Sequence, residues 1–147
     1  VCLRCVHIYS PGSCSLGAAQ ACFERALAYI QERKQFGRSI ADNQAIQFRL
    51  ADMAASLQSA RVTLRQAAGL LDQKHPAATA ACAMSKLLAT DNGFKICNDA
   101  LQMHGGYGYL KDYEIERYLR DVRVHQILEG TNEIMRHIVA RTLLSNK

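Results

Sequence analysis

The chain has 147 residues, 49% hydrophobic and 21% charged, with a formal net charge of +5. That suits one soluble globular domain with its own core. It contains no apolar run long enough to cross a bilayer and no basic start followed by the apolar core of a signal peptide. The basic residues are scattered among acids, as in Glu32-Arg33-Lys34 and Glu116-Arg117, without basic runs and interleaved aromatics. Nucleic acid is one partner such a charge allows, and an anionic small molecule, such as a phosphate-bearing cofactor or substrate, fits equally well; no nucleic acid is expected.

Residues 1–12 read differently from the rest. Val1 to Tyr9 could form a strand stopped by Ser10-Pro11-Gly12, but no partner strand follows anywhere. Cys2, Cys5, His7 and Cys14 could supply four zinc ligands, yet His7 follows Cys5 too closely for a zinc knuckle, and no metal site is expected. The domain proper is placed at 13–147. The remaining cysteines, Cys22, Cys82 and Cys97, fall in helical stretches and read as small buried hydrophobes. Reduced thiols are the expectation for a cytosolic or organelle-matrix protein.

The spacing predicts a first helix over 14–35. Leu16, Ala19, Phe23, Ala26, Leu27 and Ile30 mark one face. Ser13 or Ser15 can cap its start. Gly37 can end it, with Arg33 and Lys34 in the last turn. A second helix is predicted over 43–72. Its apolar positions Ile46, Leu50, Met53, Leu57, Ala60, Leu64, Ala67 and Leu71 alternate in steps of four and three, the seam of antiparallel helix packing. At about 1.5 Å per residue it is about 45 Å long, and so long a seam needs partner helices.

Pro76 can open a third helix, predicted over 77–103 and lined by Ala80, Met84, Leu87, Phe94, Cys97 and Leu101. Gly105-Gly106-Tyr107-Gly108 ends it. A short fourth helix follows over 112–121, capped by Asp112, and a fifth over 132–144 behind Thr131. The fold class expected is all-α, an up-and-down helical bundle with short links.

Four stretches stand apart from core packing. Arg33, at a helix end beside a glycine turn, can reach an anion outside the domain. Asn43 and Gln44 open a helix whose first N–H groups point outward, although simple capping explains them equally. Gln102-Met103-His104-Gly105-Gly106-Tyr107-Gly108 lets backbone approach a ligand, or merely stops a helix. His104 has no second histidine or carboxylate at a helical ligand spacing, so it reads as a turn residue.

The fourth stretch is His125-Gln126-Ile127-Leu128-Glu129-Gly130-Thr131-Asn132-Glu133, with Arg136 and Arg141 following on the last helix. Glu129 falls on a tight connection, preceded by apolar residues and followed by a glycine. Partial desolvation there would raise a carboxyl from about 4.3 toward about 6–7, suited to a general base. A solvated loop glutamate is the competing reading.

Taken in order, Arg33-Lys-Gln-Phe36-Gly37, Gln102-Met-His-Gly105-Gly106-Tyr-Gly108, Arg120-Asp121 and Glu129-Gly130-Thr131-Asn132-Glu133 resemble the C-terminal domain of the acyl-CoA dehydrogenase family. The resemblance covers about residues 13–147. It implies FAD as cofactor and oxidation of an acyl-CoA to its 2-enoyl-CoA, a glutamate taking the α-proton while the β-hydride passes to flavin. Glu129 matches that base. The isovaleryl and long-chain branches lack a glutamate at this position, so Glu129 argues against both. Ser13-Cys14-Ser15-Leu16-Gly17-Ala18-Ala19 and His125-Gln126-Ile127-Leu128 look most like the branch acting on isobutyryl-CoA in valine catabolism.

The resemblance further implies that Arg33, Asn43, Gln44 and Gln102, Met103, His104, Gly105 and Gly106 contact FAD, partly that of a neighbouring subunit in a homotetramer. Thr131, Asn132 and Glu133 would contact FAD near the base, and Arg141 would lie on the substrate side. Electron-transfer flavoprotein would take the electrons, in the mitochondrial matrix. The family's N-terminal helical domain and middle β-domain are not in this sequence. The expectation is therefore a fragment inactive by itself, and the alternative is a catalytically silent bundle that acts in subunit assembly.

Overall fold

The computed structural model describes residues 3–145, and side chains from residue 10 onward. It holds five α-helices: α1 Leu3–Glu32, α2 Gln44–Asp72, α3 Ala78–His104, α4 Ile115–His125 and α5 Asn132–Ser145. A two-stranded hairpin, β1 Lys34–Gln35 and β2 Arg38–Ser39, joins α1 to α2. Helix α3 is central. Helices α1 and α2 pack along it, and α4 and α5 close its remaining sides.

The seam on α2 is buried where it was expected. Met53, Leu57, Ala60, Leu64 and Ala67 face inward, while Ile46, Leu50 and Leu71 are half-buried nearer its ends. The inner face of α3 differs from the predicted line. Small residues occupy it, among them Cys82, Ala83, Ala89, Gly93, Cys97 and Ala100, whereas Leu87, Phe94 and Leu101 are only half-buried and Met84 is 44% exposed. Small side chains let helices approach closely, so the central helix has little room for large ones. Cys22, Cys82 and Cys97 are buried thiols, as expected, and the hydrogen bond with Cys22, with burial, pushes the Cys97 thiol up.

The strand expected near the N-terminus does not form. Helix α1 begins at Leu3 and runs through Pro11, past the boundary placed at residues 12–13. Pro11 and Gly12 are buried. A Cβ added at Gly12 would lie 3.1 Å from Leu64 Cδ1 and 3.4 Å from Ala89 Cβ. Tertiary packing thus overrides two local helix breakers. Ser13 and Ser15 consequently sit inside the helix and do not cap it. Cys2 of the candidate zinc set lies outside the described residues, as do the side chains of Cys5 and His7, while Cys14 is exposed.

Helix α1 also stops earlier than expected. Arg33 and Lys34 lie beyond its end, and the chain turns at Phe36 and Gly37, with φ of 52° and 80°. Two left-handed residues reverse the chain into a hairpin instead of a helix stop. Helix α4 starts at Ile115, behind Glu114 in the left-handed conformation, and not at Asp112, which sits in a single 3-10 turn.

Candidate functional site

The sequence-predicted residues gather in two places. The first is a cavity of about 450 Å³ where the C-terminal ends of α1 and α3 meet. Arg33, Gln102, Met103, His104, Gly105 and Gly106 all line it. They converge because both helices end at the same side of the bundle and break into turns there. A Cβ built on Gly105 or Gly106 would meet nothing within 4 Å, so their backbone is open to a ligand.

His104, the last residue of α3, is 4% exposed and its ring stacks on Tyr29 with centroids 4.3 Å apart. Its Nδ1–H donates to the Ala100 carbonyl at 2.7 Å. Burial lowers its pKa below the ordinary histidine value, against the opposing pull of that hydrogen bond. Tyr107 and Tyr113 complete an aromatic cluster around it. The Arg33 guanidinium lies 5.3 Å above the Tyr107 ring. The tyrosines were missed in the sequence because Tyr29, Tyr107 and Tyr113 lie on three separate elements. Asn43 and Gln44 do not line this cavity. Asn43 caps α2, its Oδ1 accepting from Ala45 N–H at 2.9 Å, and Gln44 is exposed.

The second place is the turn between α4 and α5. Asn132 N–H donates to the Gln126 carbonyl at 3.0 Å and closes it. Glu129 and Gly130 both have positive φ, 56° and 92°. The left-handed region is uncommon for a glutamate. At Gly130 the positive φ favours glycine, while the nearest atom to an added Cβ, Met135 Cε at 2.8 Å, is the movable end of a flexible side chain. Thr131 caps α5 as expected, its hydroxyl accepting from Ile134 N–H at 3.4 Å. The desolvation expected around Glu129 is not supplied within this chain: Glu129 and Ile127 are exposed and Leu128 is half-buried.

Thr131, Asn132 and Glu133 border a second cavity of about 310 Å³, with Asp91, Arg123, Gln126 and Arg136. Glu133 is exposed. Its carboxyl is held below the usual range by its own backbone N–H, by the Thr131 hydroxyl and by Arg136. Asn132 is 3% exposed and its side chain is committed inward. Its Nδ2 donates to Thr90 Oγ1 at 2.9 Å and to Asp91 Oδ1 at 2.7 Å. The Asn132 side chain is thus committed to α3, while Thr131 and Glu133 border the cavity beside it. Asp91 also accepts from Gln126 Nε2 and pairs with Arg136 at 3.1 Å. Arg141 is exposed on α5, beyond the residues bordering this cavity.

One residue of this region was not anticipated. Lys86 on α3 is fully buried, and its Nζ donates to the Gly130 carbonyl and to Asn132 Oδ1, both at 2.8 Å. Burial lowers its pKa. The available signal was its register, since Lys86 falls on the same face as Cys82, Ala83, Ala89 and Gly93.

Residues 10–144 match the acyl-CoA dehydrogenase C-terminal domain. The mitochondrial isobutyryl-CoA dehydrogenase of Bos taurus is 57% identical over 132 residues, 90% of this chain and 32% of that protein. The butyryl-CoA dehydrogenase of Megasphaera elsdenii superposes with a TM-score of 0.90 at 34% identity, over 93% of this chain and 36% of that one. A chain solved in work on the electron transferring flavoprotein of Acidaminococcus fermentans matches with a TM-score of 0.90 at 42% identity, over 93% of this chain and 36% of that one. The chain thus spans about a third of the length of the relatives it matches. With its helical bundle, its glycine-lined cavity and its Glu129 turn, the chain belongs to the acyl-CoA dehydrogenase family and carries that family's C-terminal domain.

Proposed function

We propose that this chain is the C-terminal part of an FAD-dependent dehydrogenase acting on a short branched acyl-CoA, isobutyryl-CoA, with Glu129 as its base. The observation that carries the reading is the turn at Glu129, a carboxylate in left-handed backbone clamped between two helices. The 57% identity to the bovine isobutyryl-CoA dehydrogenase supports the substrate.

The residues of the first cavity fit a dinucleotide. Arg33 offers a cation for phosphate, Gln102 a side-chain amide, and Gly105 and Gly106 open backbone. Arg33, Gln102, His104, Gly105 and Gly106 would hold the cofactor there, and Asn43 and Gln44, away from this cavity at the start of α2, would meet the cofactor of a neighbouring subunit. Thr131 and Glu133 would meet it near the base. Bound FAD supplies the hydride acceptor. Glu129 removes the proton from the carbon next to the thioester, a weakly acidic position that needs a base held at fixed distance. Arg141 lies on the substrate side.

Electron-transfer flavoprotein is the proposed electron acceptor and the mitochondrial matrix the proposed location. A homotetramer is the proposed assembly, supported by apolar residues exposed on this chain, among them Val124, Ile127, Ile134, Leu143 and Leu144.

The test joins this chain to the N-terminal two thirds of the bovine relative and compares it with its Glu129→Gln variant. The variant keeps shape and hydrogen bonding but loses the proton acceptor. Turnover of isobutyryl-CoA should vanish while flavin and acyl-CoA binding persist, lowering kcat and kcat/KM together. More than about a tenth of the parent kcat would mean a loss under about 1.4 kcal/mol, too little for the sole base.

A further inference from the structure

Lys86 is the one fully buried cation among the described residues. Burying an ammonium is costly unless its hydrogen bonds are met. Here they are met at one place, the turn that carries Glu129. Nζ donates to the carbonyl of Gly130, the residue after Glu129, and to Asn132 Oδ1. Thr90, one helical turn along α3, exchanges hydrogen bonds with the same Asn132 side chain, and Asp91 accepts from it. Lys86 therefore holds the Gly130 carbonyl, and Lys86, Thr90 and Asp91 of the central helix all hold the Asn132 side chain, three residues after Glu129.

That grip has a conformational consequence. A glutamate at φ 56° sits in a sparsely populated region, kept only where the surroundings over-determine it. The turn's own backbone contributes the Asn132 to Gln126 hydrogen bond. The Gly130 carbonyl, which belongs to the Gly130–Thr131 peptide on the far side of the second left-handed residue, has Lys86 as its partner.

We propose that Lys86 is a positioning residue, acting through the Gly130 carbonyl and Asn132 to hold the Glu129 turn in its left-handed form. The proposal rests on the reading of Glu129 as the base for its catalytic meaning, but its conformational content stands without that reading.

The first test uses this chain and no cofactor. Lys86→Met keeps the length and apolar stem of the side chain and removes its donors. Amide hydrogen exchange then reads the turn at Asn132, whose N–H closes it, against Met53 and Leu57 in the core of α2. Exchange at Asn132 should accelerate at least tenfold, and by a larger factor than at the α2 amides. Equal acceleration everywhere, or less at Asn132, is what a merely structural lysine gives and overturns the proposal. Should Lys86→Met not fold, Thr90→Val preserves shape while removing one hydroxyl from the Asn132 network. It should loosen Asn132 selectively, and an unchanged Asn132 overturns the proposal.

The second test uses the joined full-length polypeptide. Lys86→Met should lower kcat tenfold or more, with KM within threefold and flavin content unchanged. A fall in flavin content with kcat per flavin unchanged overturns the proposal. If Glu129→Gln alone leaves turnover intact, the base assignment is what fails, and exchange at Asn132 alone decides the role of Lys86.

Discussion

Gly93 and Gly17 offer a matched pair of substitutions that measures how tightly α1 crosses α3. Both lie inside helices, where replacing glycine with alanine gains about 0.5–1 kcal/mol from backbone entropy. At Gly17 a Cβ meets nothing within 4 Å, so Gly17→Ala should keep the whole gain. At Gly93 a Cβ would stand 2.9 Å from Ser15 Cβ and 3.1 Å from the Ser15 carbonyl oxygen. Carbon pairs prefer roughly 3.5–4.0 Å, so the methyl is about 0.6–1.1 Å too close. The obstacle is partly backbone and cannot rotate away. Overpacking of this kind costs about 1–3 kcal/mol. The two variants should therefore differ by about 1–3 kcal/mol in unfolding free energy, with Gly17→Ala the more stable. Urea denaturation of both, with equal m-values, measures the gap. Gly93→Ala matching or exceeding Gly17→Ala would refute the close crossing. Ser15 Oγ is also 2.8 Å from His125 Nδ1, so a displaced Ser15 should disturb the last residue of α4, just before the Glu129 turn.

The remaining predictions concern pH and assembly. Burial lowers the pKa of both His104 and His125, so below the ordinary histidine value of 6.5 the unfolded chain binds protons that the folded chain does not. Stability should therefore fall as pH drops from 7.5 to 5.5, and equal or greater stability at 5.5 by urea unfolding would contradict the burial of these rings. Glu133 does not contribute in that window, because its depressed carboxyl titrates below it. Equilibrium sedimentation at high concentration should show self-association through the exposed apolar residues of α4, α5 and their connection, and a stable monomer would remove the tetramer reading.

The fold was legible wherever one residue pattern governed one surface. On α2 the alternating apolar steps named the buried face, because a long helix with one partnered side must repeat its contacts regularly. The start of α1 was not legible. Pro11 and Gly12 are breakers by local rules, and only Leu64 and Ala89, brought from two other helices, make a helix there the better packing. The hairpin at Lys34–Ser39 was hidden for the opposite reason. It has two residues per strand and a turn with Phe36 in left-handed backbone, a position that composition does not reserve for phenylalanine. The cavity residues were legible because Arg33 and the Gln102–Gly106 run sit at helix ends, where open backbone and charge are visible in the sequence. Lys86, Thr90 and Asp91 were not, because they reach the site only through the crossing of α3 with the α4–α5 turn.

On the proposed assignment of Glu129 as the base, its turn separates two requirements that are usually met together. Geometry is supplied inside this chain: positive φ at Glu129 and Gly130, the Asn132 to Gln126 bond and the buried Lys86 fix where the carboxylate starts. Desolvation is not, since Glu129 is exposed and Ile127 beside it is open to water. A group whose position is held by one body and whose dielectric is set by another is active only when the two are joined. The exposed Val124, Ile127 and Ile134 flank the same turn, so the surface that would cover Glu129 is apolar on the side this chain contributes. Covering that surface removes water from the carboxylate and apolar area in one step. On that proposed assignment, assembly and activation of the base would be coupled by the same contact, with the turn already set in its left-handed form.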